Sequence, residues 1–161
     1  MFAAGARPVP PENFHITLAF LGSVPDARIC EVAAIGVDAA SQVTQPRIGV
    51  TLDTIEYWKK PKVVVVTAGA PPAATDPLAN VLAGALNSRL GDAGLRHETR
   101  EFRSHVTLAR KVAHPVHSMG IQPVLWSFTD FALVDSRTEP EGSVYRVLQT
   151  FPWGVRRGCD S

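Results

Sequence analysis

No charge of one sign dominates this chain: sixteen Lys and Arg stand against fifteen Asp and Glu, a formal charge of +1. That balance excludes a global basic field, so any nucleic acid has to be held by a local patch. A grip on one strand end suits it better than coating a long duplex. Cysteine is scarce. Cys30 and Cys159 lie far apart and form no C-x-x-C, which argues against a disulfide framework or a zinc ribbon. Long apolar runs are missing as well, the longest, near Val63 to Val66, falling far short of a membrane span. The opening MFAAGARPVPPEN has no apolar core of the length a signal peptide needs. The expected compartment is the cytoplasm, with no membrane partner. What is present is ordinary: 161 residues, 45% hydrophobic and 19% charged, enough for one domain or two small lobes sharing a core.

Periodicity divides the chain into strands and two helices. Phe14 to Phe20 alternates, with Phe14, Ile16, Leu18 and Phe20 on one side and His15, Thr17 and Ala19 on the other, as a half-buried strand requires. Pro25 suits the first turn of a helix whose apolar stripe is Ile29, Val32, Ala33, Gly36, Val37 and Ala40. A strand is expected over Ile48 to Ile55, then a linker, EYWKKPK, then a buried strand over Val63 to Thr67. Asp76-Pro77 reads as a cap and first-turn proline. Leu78, Val81, Leu82, Ala85, Leu86 and Leu90 follow at helical spacing, and Gly91 or Gly94 ends the helix. Arg103 to Arg110 is expected as a strand, as are Val124 to Val134 and Ser143 to Phe151. Together these elements indicate an α+β fold, with helices packed against antiparallel sheets.

One feature stands above this pattern. His15-Ile16-Thr17-Leu18-Ala19 and His105-Val106-Thr107-Leu108-Ala109 repeat a single pentamer, a histidine, a β-branched residue, then Thr-Leu-Ala. By composition a given histidine meets Thr-Leu at that offset about 0.5% of the time, and two of the five histidines doing so is on the order of a few in ten thousand. The bland alternative is two polar pairs on solvated strand faces, where Thr is favoured anyway. Against it stands the doubling of the pattern in matching phase.

His and Thr at i and i+2 lie about 6–7 Å apart on one strand face. Two such strands side by side offer two imidazoles and two hydroxyls, which suits in-line displacement at phosphorus. One neutral imidazole takes a proton from water and the other, protonated, gives one to the departing oxygen. The hydroxyls can donate to the non-bridging oxygens as charge builds. With no carboxylate cluster to suggest a metal, neutralisation falls to histidinium, hydroxyls and Arg110.

In these residues the chain resembles the RNA 2',3'-cyclic phosphodiesterases, also described as 2'-5' RNA ligases, of the two-histidine (2H) phosphoesterase superfamily. PVPPENFHITLAFLG is similar to the family's first motif region, FRSHVTLAR to its second, and DFALVDSR with YRVLQTFPWG to its closing strands. The resemblance implies a single bilobal α+β domain, with antiparallel sheets lining a central cleft and helices outside. It also implies hydrolysis of a 2',3'-cyclic RNA end to a 2'-phosphate, with His15 as proton donor, His105 as proton acceptor, Thr17 and Thr107 as phosphate ligands, and no cofactor or metal. The expected partner is RNA with a cyclic phosphate end, tRNA fragments among them. Two other activities fit the same residues: a 2'-5' ligase or phosphodiesterase, in which a 5'-hydroxyl replaces water, and a non-catalytic RNA-end binder.

Family members usually place a strand and a helix before the first motif, whereas only a short segment precedes His15 and none of it reads as that strand. The expectation is an N-terminally shortened lobe, less stable or self-associating, the chain being a monomer where that lobe is complete. Arg110 has strand parity opposite to His105, so it aims off the site face unless the strand ends or twists there. Tyr57, Trp58, Lys59, Lys60 and Lys62 combine aromatics with bases in a loop, a composition suited to stacking a base and holding a backbone phosphate, or simply to a solvated loop over a tucked aromatic. His114 and His117 lack further ligands for a metal site, and His97 reads as an exposed residue.

Overall fold

Val63 to Val66 form a strand that is buried throughout and lies in the middle of the larger sheet. A computed structural model of the chain describes residues 5–68, 77–139 and 142–153. Asp76, expected to cap the second helix, and Cys159 lie outside those residues. The chain divides into two compact units.

The first unit comprises Met1–Leu18, Gly49–Asn80 and Glu101–Trp126. Its sheet has the order β1-β4-β3-β2-β5, made of β1 (Arg7–Pro8), β2 (Ile48–Trp58), β3 (Val63–Thr67), β4 (His105–Arg110) and β5 (Met119–Phe128). The β1–β4, β2–β3 and β3–β4 pairs are antiparallel. Ile48, Val50 and Leu52 alternate into the core, as their spacing requires. β2 runs three residues further than expected, so Tyr57 and Trp58 are strand residues opposite Val64 and Val63 rather than part of a loop. The apolar neighbours on β3 reward that extension.

Two other expectations in this unit are corrected. Residues 7 and 8, not read as a strand, pair with Arg110 and Ala109; three prolines among residues 8–11 disguise the segment. Phe14 to Phe20, read as a strand, joins no sheet among the described residues. Val9 N–H still donates to the Leu108 carbonyl at 2.8 Å, but Pro10 and Pro11 have no N–H to continue the ladder. A short 3-10 turn over Pro11–Asn13 then delivers extended backbone at Phe14. The alternation survives as exposure, with His15 and Thr17 exposed and Phe14, Ile16 and Leu18 half-buried. It fails at Phe20, which is 60% exposed beneath the Arg96 guanidinium.

The second unit comprises Ala19–Ile48, Val81–Arg100 and Ser127–Ser161. It contains α1 (Ile29–Ser41), most of α2 (Pro77–Asp92), and the two-stranded antiparallel sheet of β6 (Asp130–Glu139) and β7 (Gly142–Pro152). After Pro25 a 3-10 turn leads into α1, and Arg28 pairs with Glu31 at 2.7 Å in its first turn. Val32, Ala40, Leu90, Leu95, Leu133 and Phe151 form the core. Gly36 is required where α1 crosses β7, because a Cβ there would lie 2.5 Å from Cζ of Phe151. Gly94, at φ +65°, ends α2 with Leu95 N–H donating to the Leu90 carbonyl at 2.8 Å, a Schellman closure.

Both helical stripes are rotated from the expected ones. Val37 and Val81 are exposed, while Ala39 in α1 and Ala79 and Ala83 in α2 are buried. The single strand expected over Val124 to Val134 is two. β5 ends at Phe128 and β6 begins at Asp130, and the Thr129 carbonyl between them accepts Trp153 N–H at 3.2 Å. No helix among the described residues is long and apolar enough to cross a membrane.

Candidate active site

His15 to Leu18 of the first pentamer and the whole of the second belong to the first unit, and their histidines are anchored in the same way. His15 Nδ1 lies 2.7 Å from the Asn13 carbonyl oxygen, and His105 Nδ1 lies 2.8 Å from that of Arg103. Each anchor is two residues upstream. A carbonyl oxygen only accepts, so each Nδ1 carries the hydrogen and donates it. Nε2 of each ring is thereby the titrating atom: a lone pair when the ring is neutral, an N–H donor when it is charged.

The platform under His105 is the β2–β3–β4 register. Thr67 pairs with both Thr54 and His105, and Val65 pairs with both Glu56 and Thr107. Directly opposed residues share a face, so Glu56 and Trp58 on β2 lie on the same side as His105 and Thr107. The Trp58 and His105 ring centroids are 4.5 Å apart, tilted by 53°. Trp58 Nε1–H donates to Glu56 at 3.0 Å, and an Arg103 guanidinium N–H donates to the same carboxylate at 2.5 Å. Thr67 Oγ1 adds a bond to Glu56 at 3.3 Å. Burial pushes the Glu56 carboxyl up, yet the bonds from Trp58, Arg103 and Thr67 outweigh it and hold the group below the usual carboxylate range.

Burial holds His105 below the ordinary histidine value. The bond to the Arg103 carbonyl opposes that, and the positive charges of His15, Arg103 and Arg110 reinforce it. His15 and Arg110 are therefore close enough to act electrostatically on His105. Thr17 is exposed and Thr107 half-buried.

A bulge decides the direction of Arg110. Val65 pairs with Thr107 but Val64 pairs with Ala109, so Leu108 is an extra residue in β4. Past it the alternation shifts by one. Ala109, expected beside His105 and Thr107, is buried with Val64 and Val112, and Arg110 regains the phase of His105. Arg110 pairs across the ladder with Arg7, so two cations adjoin there.

Proteins of known structure and name carry the same architecture. The family model of LigT-like phosphoesterases matches residues 1–65. A Thermus thermophilus protein named RNA 2',3'-cyclic phosphodiesterase is 32% identical over 153 residues, covering 91% of this chain and 75% of its own length. An Escherichia coli protein of the same name is 32% identical over 132 residues, covering 81% of this chain and 70% of its own. The chain belongs to the LigT-like phosphoesterase family. It is thus an enzyme of the phosphoesterase class. Crystal structures agree: a protein from Thermus thermophilus superposes with a TM-score of 0.75 at 27% identity, over 94% of this chain and 84% of that one. Escherichia coli LigT complexed with 3'-AMP gives 0.73 at 28% identity, over 92% and 81%. The mixed α+β class with antiparallel sheets is that of the family.

The remaining candidates are placed variously. Tyr57 packs against Val64, Ala109 and Val112 and donates its hydroxyl to the Val112 carbonyl at 3.2 Å, on the face away from Trp58. Lys60 is exposed in the turn after β2. His114 and His117 are exposed, and no group of three or more His, Cys, Asp or Glu gathers as a metal site among the described residues. Glu56 and Arg103 were not anticipated. The signal was faint: each histidine of the repeated pentamer has a polar residue at i−2, Asn13 and Arg103, but only the carbonyl of that residue serves the ring.

Proposed function

We propose that this phosphoesterase hydrolyses RNA 2',3'-cyclic phosphate ends to 2'-phosphomonoesters without a metal ion. The observation that carries the reading is the matched anchoring of His15 and His105 through Nδ1, which leaves both Nε2 atoms as the proton-transferring groups. His105, which burial shifts below the ordinary histidine value, accepts a proton from water as the water oxygen bonds to phosphorus. The P–O3' bond breaks, and protonated His15 gives its Nε2 proton to the departing O3'. The products are a 3'-hydroxyl and a 2'-phosphate, with His105 charged and His15 neutral until solvent resets them. Thr17 and Thr107 donate hydroxyls to the non-bridging oxygens, and Arg110, returned to the His105 face, offsets their charge. Trp58, on this face at the end of β2, is the candidate for stacking a base, and Lys60, exposed in the turn that follows, the candidate for a backbone phosphate. Relatives named RNA 2',3'-cyclic phosphodiesterase support the substrate class.

Phosphorus NMR of a hydrolysed 2',3'-cyclic nucleotide, run with EDTA present, tests the reaction. A 2'-phosphate product formed at undiminished rate is expected. A 3'-phosphate, or a rate lost to EDTA and restored by Zn²⁺ or Mn²⁺, overturns it.

A further inference from the structure

The contacts behind His105 form a closed circuit. The His105 ring donates to the Arg103 carbonyl at 2.8 Å. The Arg103 side chain donates to Glu56 and lies 5.9 Å from the Trp58 ring centroid. Glu56 accepts Trp58 Nε1–H, and the Trp58 ring returns to His105 at 4.5 Å. The indole is therefore fixed from three sides: by the β2 backbone, by the carboxylate at its N–H, and by the guanidinium over its ring. A flat side chain so fixed acts as a wall. It limits rotation of the imidazole about the bond that keeps Nδ1 on its carbonyl, and it excludes water from one ring face.

We propose that Trp58, anchored by Glu56, is the positioning residue that orients His105 and shields it, so that one of the two histidines is the resting base. The proposal rests on the two-histidine reading above and goes beyond it by naming what distinguishes the two rings. The anchors on Nδ1 are alike, so they do not separate the roles. The ring contact does: His105 has the tilted indole against it and is partly buried, while His15 is exposed. The charged groups that bear on His105 are His15, Arg103 and Arg110, with Glu56 next to Arg103. Changing Trp58 removes none of the four, although Glu56 and Arg103 each lose a contact with the indole; Trp58→Phe, which also lacks the N–H but keeps a ring, separates the wall from that contact.

The His105 imidazole can be titrated by NMR in substrate-free protein, in the parent, Trp58→Ala and Trp58→Phe. In Trp58→Ala the midpoint should move up toward the ordinary histidine value, because water regains the ring face. The acid limb of kcat/KM should move the same way, and kcat should fall about 10-fold or more through misorientation. Trp58→Phe keeps an aromatic wall and should hold the midpoint near the parent's. Should Trp58→Ala lose its fold by circular dichroism, Glu56→Ala releases the indole without removing it. That variant should then lower kcat several-fold with KM little changed. An unmoved His105 titration in folded Trp58→Ala, or an unchanged kcat in Glu56→Ala, overturns the proposal. The NMR arm needs no turnover, so it judges Trp58 even if His105→Gln were to stay active, an outcome that would instead refute the acid–base reading.

Discussion

If His15 is the acid and His105 the base, the two should respond differently to the leaving group. A 2',3'-cyclic phosphate with sulfur in place of O3' departs as a thiolate, which needs no proton at the moment of bond breaking. On the oxygen substrate each of His15→Ala and His105→Gln should lose about 10²–10⁴-fold, which is about 2.7–5.4 kcal/mol of barrier. On the sulfur substrate the His15→Ala loss should shrink to a few-fold, while His105→Gln keeps its full loss because water must still be deprotonated. The structure sets the choice of variants. His15 is exposed, so removing its ring should change stability by no more than about 0.5 kcal/mol. His105 packs against the tilted Trp58 ring, so Gln is used to keep its volume. Single-turnover rates on both substrates, with thermal melts of each variant, make the comparison. Equal rescue of both variants by sulfur, or rescue of His105→Gln alone, refutes the assignment.

Because His105 is held below its ordinary value, kcat/KM should stay level as pH falls through 6.5 and drop only below it, a limb that vanishes in His105→Gln. The same shift bears on stability. The unfolded chain takes up the proton first, so His105's contribution is full above the unfolded value and is lost as pH falls through the folded one; denaturant midpoints from pH 7 to 5 should show this loss reduced in His105→Gln. Thr17→Val and Thr107→Val should each raise the barrier by about 2–4 kcal/mol with little change in melting, and silence of both would mean the hydroxyls do not touch phosphate. Gly36→Ala drives a Cβ into the Phe151 ring and should cost about 1–3 kcal/mol, read as a lower urea midpoint; an unchanged midpoint would mean the ring yields freely.

Local chemistry was enough to reveal the doubled His-x-Thr-Leu-Ala pentamer, the buried β3 run and both helices, since each is written in residue types a few positions apart. It also exposed the right inward residues at Val50 and Leu52, where a regular strand pairs on both sides. It failed where a distant partner decides. Alternation around His15 resembled a strand, but proline amides at 10 and 11 end the pairing that would have made it one. Arg110 had the wrong parity until a bulge in β4, visible only in its register with β3, shifted the phase by a residue. Glu56 and Arg103 are 47 residues apart in the chain, and neither carries a motif. Only the β2–β3–β4 ladder places them around Trp58 and His105. The sequence by itself determined which groups can move protons, because that is a property of side chains. Which of them is half-buried, set against an indole and held below the ordinary histidine value was decided by tertiary structure, since desolvation comes from neighbours that the chain order does not name.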